Sequence, residues 1–222
     1  MPLPPFPGPW PPQHPRPPVP LVDEGAEADG GWPGRLRDRL LDRRTVFVTR
    51  ALDDAVAGRA AVELMALDGW GDEPVHLHLD SAGGSLDAAL TLMDVIELLG
   101  VPVTVTCVGR AEGPAVGVVA VAARRRANPH SRFLLREPEA AFTGRARELT
   151  SWAERHQRQL EDFCRRVAEA TRWTPERLAA EMRSGRYLDA EEALRHGLVD
   201  EIAKPAADVH RLPGRGVGFR PR

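Results

Sequence analysis

The sequence predicts an α/β fold built on a parallel-rich sheet. Short segments rich in apolar and β-branched residues alternate with longer segments whose apolar residues recur at helical spacing, and this strand-then-helix unit repeats. Such repetition is typical of a parallel sheet, because each helix returns the chain to the start of the next strand.

Three strand–helix units occupy the first half of this pattern. Thr45 to Thr49, Val75 to Leu79 and Val101 to Val108 are short and dominated by strand-forming residues. Apolar residues recur at spacings of three and four in the segments between them. The helices predicted here cover 36–42, 53–67, 85–99 and 115–123.

The second half predicts a strand over 132–135 and one long amphipathic helix from Gly144 to Thr171. Thr174 and Pro175 predict the start of another helix, with threonine as N-cap and proline in the first turn. One stripe of the long helix would be hard to bury within one subunit, which favours oligomerisation. Its residues are Leu149, Trp152, His156, Leu160, Phe163 and Val167.

Two segments of different composition flank the pattern. Residues 1–34 are dominated by proline and predict a disordered arm, or alternatively a docking peptide anchored by Phe6 and Trp10. Residues 204–222 mix proline, glycine and arginine and predict a disordered tail. A single folded domain is therefore expected over 35–203.

Composition narrows the class of protein. The formal net charge of −2 gives no reason to expect nucleic acid as the main partner. No apolar run approaches the roughly 18 residues of a membrane helix, and no secretory signal is recognisable. Cys107 and Cys164 are interpreted as reduced packing thiols. A cytoplasmic protein is expected, without membrane contact.

Several motifs stand in the order and spacing of a known family. A glycine turn at Asp80–Ser85 follows a strand, Cys107–Ala115 leads from strand to helix, and two further motifs lie at Arg186–Ala193 and Gly197–Ile202. Through these motifs, residues 35–202 resemble the proteolytic subunit of Clp proteases. The resemblance implies the spiral α/β fold shared with the crotonases, with residues 144–171 as a long protruding handle helix.

The resemblance places the family's Ser-His-Asp triad at positions that lack those side chains. The serine position is Gly113, the histidine position is Arg136, and the aspartate position is Gly185. Glycine has no nucleophile, and an always-protonated arginine cannot act as a base. The sequence therefore predicts a protein without serine peptidase activity.

The oxyanion hole is also affected. In the family it uses a backbone amide of the glycine turn, here Gly83–Gly84, and the amide of the residue after the nucleophile. That second residue is Pro114, which has no N–H to donate. Restoring a serine would therefore not be enough to restore activity.

Three charged residues remain near the emptied site: Glu112, Arg136 and Glu137. One interpretation is a salt-bridged plug that fills the former pocket. Another is acid–base chemistry of the crotonase type, in which amides of Gly83 and Gly84 polarise a thioester carbonyl and a glutamate moves the proton.

No other group of side chains predicts a replacement site, and neither a metal nor a cofactor is expected. His76 and His78 share one face of a strand and could bridge Zn²⁺, but no third ligand is evident. Lys204, the only lysine, begins the tail. Two further pairs are badly placed for a nucleophile and its base. Ser131 and His130 are adjacent and would face opposite sides of an extended chain, and Cys164 and His156 are too far apart on one helix.

The two strand histidines bear on docking. In the family, aromatic side chains at these positions line an apolar pocket for the AAA+ unfoldase. His76 and His78 are more polar and titrate near neutrality, so unfoldase docking is expected to be lost or pH-sensitive, unless both are simply exposed strand residues.

These observations predict a structural or regulatory subunit of a Clp-type ring. The ring, heptameric in the family, would form from copies of this chain or together with an active proteolytic subunit. The alternatives are a crotonase-like acyl-CoA enzyme and an adaptor that binds partners through the Pro-rich arm.

Overall fold

The structure, a computed structural model, describes residues 34–138 and 140–204. The predicted disordered segments 1–34 and 204–222 fall almost wholly outside these residues. The helices are α1 Gly34–Leu41, α2 Asp54–Gly69, α3 Leu86–Leu98, α4 Ala115–Ala120, α5 Ala146–Ala170, α6 Pro175–Ser184 and α7 Ala190–Arg195. The strands are β1 Thr45–Val48, β2 Val75–Ser81, β3 Val103–Glu112, β4 Arg124–Ala127, β5 Arg132–Leu135, β6 Arg186–Asp189 and β7 Glu201–Ile202.

The strands form one sheet that is parallel except at one pair, which confirms the predicted α/β class. Its main path runs β1-β2-β3-β4-β7, and every pair along it is parallel. β3 is long enough to pair with β4 through Thr104–Cys107 and with β5 through Arg110–Glu112. β6 then pairs antiparallel with β5. The far end of β3 is thus surrounded by β5 and the turn after β2, which is where the candidate site lies.

Polar N-caps fix the starts of the helices that follow strands. Asp53 accepts a hydrogen bond from Val56 N at 2.8 Å, and Ser85 accepts one from Ala88 N at 3.3 Å. Thr174 caps α6 as predicted, with Pro175 at the first helical position. Each cap satisfies an amide that the helix itself leaves unpaired.

Three strands were not predicted: β4, β6 and β7. β4 has the sequence Arg-Arg-Arg-Ala, which carries no apolar alternation. It forms because Asp200 accepts from the Arg125 amide at 2.8 Å and Glu201 contacts Arg126 Nε at 2.8 Å. β6 and β7 are short, and each gains its hydrogen bonds only from a neighbour distant in sequence.

The long helix α5 matches the predicted handle, but its apolar stripe divides into two parts. Phe163 and Val167 are each 1% exposed and belong to the core of the subunit itself. Phe163 reaches Gly117 on α4, where it packs beside Met93 of α3. The prediction that Phe163 lies on an oligomer-facing surface is therefore wrong, because Gly117 on α4 has no side chain and leaves room for the ring.

The C-terminal half of α5 is also held by charge. Arg166 is nearly buried and contacts Asp94 at 2.8 Å and Glu97 at 2.7 Å, both on α3. The N-terminal half is mostly exposed, with Leu149 at 39%. Within the described residues, no helix is both long enough and apolar enough to span a membrane.

Candidate functional site

The glycine turn after β2 is fixed by backbone contacts with Leu52. Gly83 has φ +99° and Gly84 has φ +136°, conformations that favour glycine. Leu52 N donates to Gly83 O at 2.7 Å, and Ser85 N donates to Leu52 O at 2.8 Å. The turn is therefore held by backbone hydrogen bonds against the segment that follows β1, and close packing requires glycine at both positions.

The backbone amide of Gly83, a candidate donor of the oxyanion hole, forms a hydrogen bond within the turn itself. Ser81 is fully buried, and its hydroxyl donates to Gly83 O at 3.1 Å. Gly83 N in turn donates to Ser81 Oγ at 3.3 Å. That bond is long, so a ligand carbonyl could compete for the amide.

The strand-to-helix elbow keeps its shape without a nucleophile. Gly113 follows β3 with φ +51°, and its amide donates to Leu134 O at 2.8 Å. Pro114, at φ −60° and ψ −24°, begins the buried helix α4. A positive φ at the elbow is the strained geometry that presents a nucleophile in hydrolases. Here the elbow presents no side chain, and the next residue has no amide proton.

Arg136 lies over the glycine turn. Its Nη2 donates to Ala82 O at 3.4 Å and is 3.7 Å from the position a Cβ would take on Gly83. Its carbonyl oxygen is 3.5 Å from the corresponding position on Gly113. Arg136 is therefore the residue that joins the turn and the elbow, and it places a permanent positive charge where a base would act.

Gly185 immediately precedes β6, and Arg136 immediately follows β5. The last registered pair of the two strands is Leu135 with Arg186. Gly185 ends α6 in the left-handed conformation, with φ 72° and ψ 53°, and no atom lies within 4 Å of the position a Cβ would take on it. Of the three positions at which the sequence predicted a lost triad, the contacts thus join Arg136 to Gly113, and they do not join Gly185 to either.

The two glutamates do not form the expected plug with Arg136. Glu112 pairs with Arg110 at 3.9 Å, and Glu137 pairs with Arg183 on α6 at 4.0 Å. The plug interpretation is corrected accordingly, since Glu112 pairs with an arginine of its own strand β3 and Glu137 pairs with an arginine of α6.

The two cysteines are poor alternative nucleophiles. Cys107 and Cys164 are free and buried, and burial is the main cause that raises the pKa of each thiol to about 11. Both are protonated at neutral pH, so the reactive thiolate is scarce. Ser131 is 1% exposed and donates to Cys107 O at 2.7 Å, which makes it a structural residue.

The segment after Arg136 is bound to the handle helix by an aromatic stack. Phe142 stacks on Trp152 with ring centroids 5.3 Å apart, and Trp152 stacks on His156 at 5.1 Å. Residues 136–138 and 140–145 contain no strand.

A cavity of about 580 Å³ lies between α5 and α6 next to Glu137. Leu160 and Cys164 contribute apolar surface to it, and Arg183 borders it. Leu160, predicted on the handle surface, is partly buried against the core at this cavity. Trp152 is partly buried as well, whereas Leu149 on the same predicted stripe is exposed.

His76 and His78 lie on β2, on the sheet face opposite the core. His76 is exposed, whereas His78 is half-buried and stacks on Phe47 with centroids 4.6 Å apart. Burial is the main cause that lowers the pKa of His78, with further lowering from His76 and Arg126. Among the described residues, no three histidine, cysteine or acidic side chains cluster in a way that could hold a metal ion.

Sequence reasoning missed two residues that shape the site, Leu52 and Ser81. Leu52 holds the glycine turn through its backbone, which leaves no signal in side-chain chemistry. Ser81 gave a weak signal, since a buried serine before Gly-Gly is able to bond to the turn that follows.

The chain is similar to known proteins over most of its length. The family model described as Clp protease matches residues 34–206. The chain is 30% identical to ATP-dependent Clp protease proteolytic subunit 2 of Pseudomonas aeruginosa over 196 residues, covering 86% of this chain and 96% of that protein. It is 28% identical to proteolytic subunit 3 of Streptomyces avermitilis, covering 86% and 87%, and 29% identical to subunit 3 of Streptomyces coelicolor, covering 86% and 89%.

Proposed function

The chain belongs to the Clp protease family, and from that premise we propose that it is a structural or regulatory subunit of a Clp-type ring that does not cleave peptide bonds. One observation supports this proposal: Arg136 contacts both the glycine turn and the elbow at Gly113, and none of the three positions that the resemblance equates with the triad holds a catalytic side chain.

The loss is too large for partial activity to be expected. Removing a nucleophile or base costs on the order of 10⁶ in rate in a serine peptidase. Removing one oxyanion donor costs a further 10²–10³ or so. Pro114 removes that donor independently of the triad, so four separate requirements fail together.

Exposed apolar side chains support a role in assembly. Val62 is 68% exposed and Met65 is 60% exposed on the outer side of α2, while Trp70 and Leu98 are 66% and 84% exposed at the ends of α2 and α3. Val62 and Met65 are three residues apart on α2 and so lie on one side of that helix, and apolar surface shared by neighbouring side chains is typical of contact sites between proteins. The partners would be further copies of this chain, in a ring like the heptamer of the family, or an active proteolytic subunit.

The resemblance also implies an AAA+ unfoldase as a partner. We favour this partner less than another ring subunit. The positions that are aromatic in the family are His76 and His78, and an imidazole gives an apolar loop a poorer surface than a phenol does. A cytoplasmic location remains part of the proposal.

The alternatives have less support. A crotonase-type reaction needs two amides for a thioester carbonyl, and Pro114 leaves only the Gly83–Gly84 turn to supply them. An adaptor role for the Pro-rich arm concerns residues 1–34, almost all outside the described part of the chain. A measurement of acyl-CoA turnover would test the crotonase-type alternative. A partner pull-down with a protein that lacks residues 1–34 would test the adaptor alternative.

Two measurements test the proposal. The purified protein should neither hydrolyse a fluorogenic peptide nor react with a fluorophosphonate probe, whereas an active Clp proteolytic subunit assayed beside it should do both. Native mass spectrometry, with and without that active subunit, should show an oligomer in at least one case. Labelling of this chain by the fluorophosphonate probe would contradict the proposed lack of peptidase activity. A monomer both with and without the active subunit would contradict the proposed role in assembly.

A further inference from the structure

The cavity between α5 and α6 combines apolar surface with an excess of carboxylates. Its volume of about 580 Å³ falls within the range of roughly 300–1,000 Å³ that is typical of ligand sites. The apolar part of its lining consists of Leu160, Cys164, Pro175 and Ala179. The charged part consists of Glu137, Glu161, Glu176 and Arg183. This lining suits an occupant that is both apolar and positively charged.

Two of the carboxylates have no cationic partner among the described residues. Glu137 pairs with Arg183 at 4.0 Å. Glu161 accepts a hydrogen bond from a neutral side-chain amide at 2.9 Å, and Glu176 lies in the first turn of α6. Burial is the main cause that raises the pKa of the Cys164 thiol to about 11, and Glu137 and Glu161 act in the same direction. The cavity therefore carries negative charge that a bound cation would compensate.

The cavity is elongated along the two helices. Its lining residues on α5 extend from Gln157 to Cys164, and those on α6 extend from Pro175 to Arg183. At a rise of about 1.5 Å per residue, these spans are about 10 and 12 Å long. An extended chain rises about 3.3 Å per residue, so a segment of about five residues would match this length.

The sequence beyond the described residues has a segment of matching composition. Residues 205–222 contain four arginines and one acidic residue. Within them, glycine alternates with Arg215, Val217 and Phe219, and Arg220 follows. In an extended chain, the side chains of Arg215, Val217 and Phe219 would project from one side and the glycines would occupy the other. The segment thus offers two apolar groups between two cations.

This segment is close enough along the chain to reach the cavity. Ala203 N donates to Ala127 O at 2.7 Å, so the chain leaves the sheet beside Ala127. Ten residues separate Ala127 from Glu137 at the cavity, so these two residues are at most about 36 Å apart. The eleven residues from Lys204 to Arg215 can span about 36–40 Å. The chain length therefore permits the contact within one subunit.

We propose that the cavity between α5 and α6 binds residues 215–220 of the same chain. Val217 and Phe219 pack on the apolar lining, where an aromatic side chain buries a large area. Arg215 and Arg220, at the two ends of the segment, pair with the carboxylates Glu161 and Glu176. The bound segment links α5 to α6 beside the residues that follow Arg136. This inference does not depend on whether the chain cleaves peptides.

Photo-cross-linking in the full chain tests where the segment lies. With Phe219 replaced by the photoreactive residue p-benzoylphenylalanine, irradiation and mass spectrometry should place most cross-links on lining residues such as Leu160 and Ala179. The same replacement at Leu212, outside the proposed segment, should give few cross-links to the cavity. Cross-links from position 219 only to other surfaces would overturn the proposal. Cross-links only between isotopically labelled and unlabelled copies would overturn it as well.

Charge variants test the pairing in the cross-linkable protein. The variant Arg215→Glu, Arg220→Glu should lower the yield of cavity cross-links at least about tenfold, because hydrogen bonds between charged groups contribute about 1.5–3 kcal/mol each. The variant Arg211→Glu, Arg222→Glu is the matched control, since it makes the same change of charge in the same segment of sequence, and its yield should stay nearly unchanged. Equal losses in the two variants would overturn the proposal.

An exchange of charges gives the converse test. Addition of Glu161→Lys, Glu176→Lys to the variant Arg215→Glu, Arg220→Glu should restore the cross-links, and failure to restore them in a folded protein would overturn the pairing. If this protein does not fold, Ala179→Arg serves instead, because it places a cation in the cavity and should abolish the cross-links. Val62→Arg, at an exposed residue of α2, is its control and should not. Cross-links that persist in Ala179→Arg would overturn the proposal.

Discussion

Gly84 lies against the backbone of Leu52, and no side chain fits between them. A Cβ on Gly84 would overlap Leu52 O and come within 2.6 Å of Leu52 N. The two residues also form a parallel β-bridge that joins the turn after β2 to the segment after β1. The glycine turn persists in this chain because the fold needs it, so its presence is no sign of catalysis.

Gly84→Ala should destabilise the protein by about 3 kcal/mol or more, because it combines a backbone clash with an unfavourable φ. Gly58→Ala is the matched control, since Gly58 is an exposed helical residue with no atom within 4 Å of its Cβ position. That control should stabilise by about 0.5–1 kcal/mol. Urea denaturation measures the free energy of unfolding of both variants. A Gly84→Ala protein as stable as the wild type would contradict the close packing of the turn against Leu52.

Gly113→Ser should not restore peptidase activity. The new hydroxyl would have Arg136 where a base is needed and Pro114 where an oxyanion amide is needed, and each defect alone costs at least on the order of 10² in rate. A fluorophosphonate probe and a fluorogenic peptide are the readouts. The combined variant Gly113→Ser, Pro114→Met, Arg136→His, Gly185→Asp tests whether the elbow geometry still supports chemistry. Labelling of the single variant would show that the site retains a base we have not identified.

Phe163→Ala should lower the free energy of unfolding by about 3–5 kcal/mol, because it leaves a cavity against Gly117 and Met93. Trp152→Ala removes a stack near the surface and should cost about 1 kcal/mol. The difference between the two losses of stability distinguishes the core part of the apolar stripe of α5 from its surface part. Similar losses of stability in both variants would contradict this division of the stripe.

Stability should fall as the pH is lowered from about 7 toward 5, partly through His78. Its folded-state pKa is lowered, mainly by burial and then by His76 and Arg126. The unfolded chain therefore binds the proton more readily, so the contribution of His78 to stability is complete above the ordinary histidine pKa of 6.5 and is lost as the pH falls below it. Burial, followed by Arg186, lowers the pKa of His196 and adds to the same trend.

His78→Gln should flatten this pH dependence, whereas His130→Gln, at an exposed residue outside the strands, should leave it unchanged. Thermal denaturation between pH 5 and 8 gives the comparison. An unaltered slope in His78→Gln would contradict the burial of this imidazole.

The fold was largely predictable because most of its elements carry their own local signal. Caps at Ser85 and Thr174 and the apolar strands of the sheet interior are set by residues close in sequence. β4 was not predictable in the same way, since an arginine-rich strand is stable only beside Asp200 and Glu201. Motifs alone identified Gly113, Arg136 and Gly185 as the positions to compare with the triad, whereas the contacts of Arg136 with the glycine turn and the elbow depend on the fold.

The sequence by itself determined the fold class, the family resemblance and the absence of triad side chains, since each depends on residue types and on spacing along the chain. Only the tertiary structure decided that Phe163 is core and that Glu112 and Glu137 pair with different arginines. Apart from the pair of Glu112 with Arg110 on one strand, those facts come from residues far apart in the chain, whose contacts are fixed by strand register and helix packing.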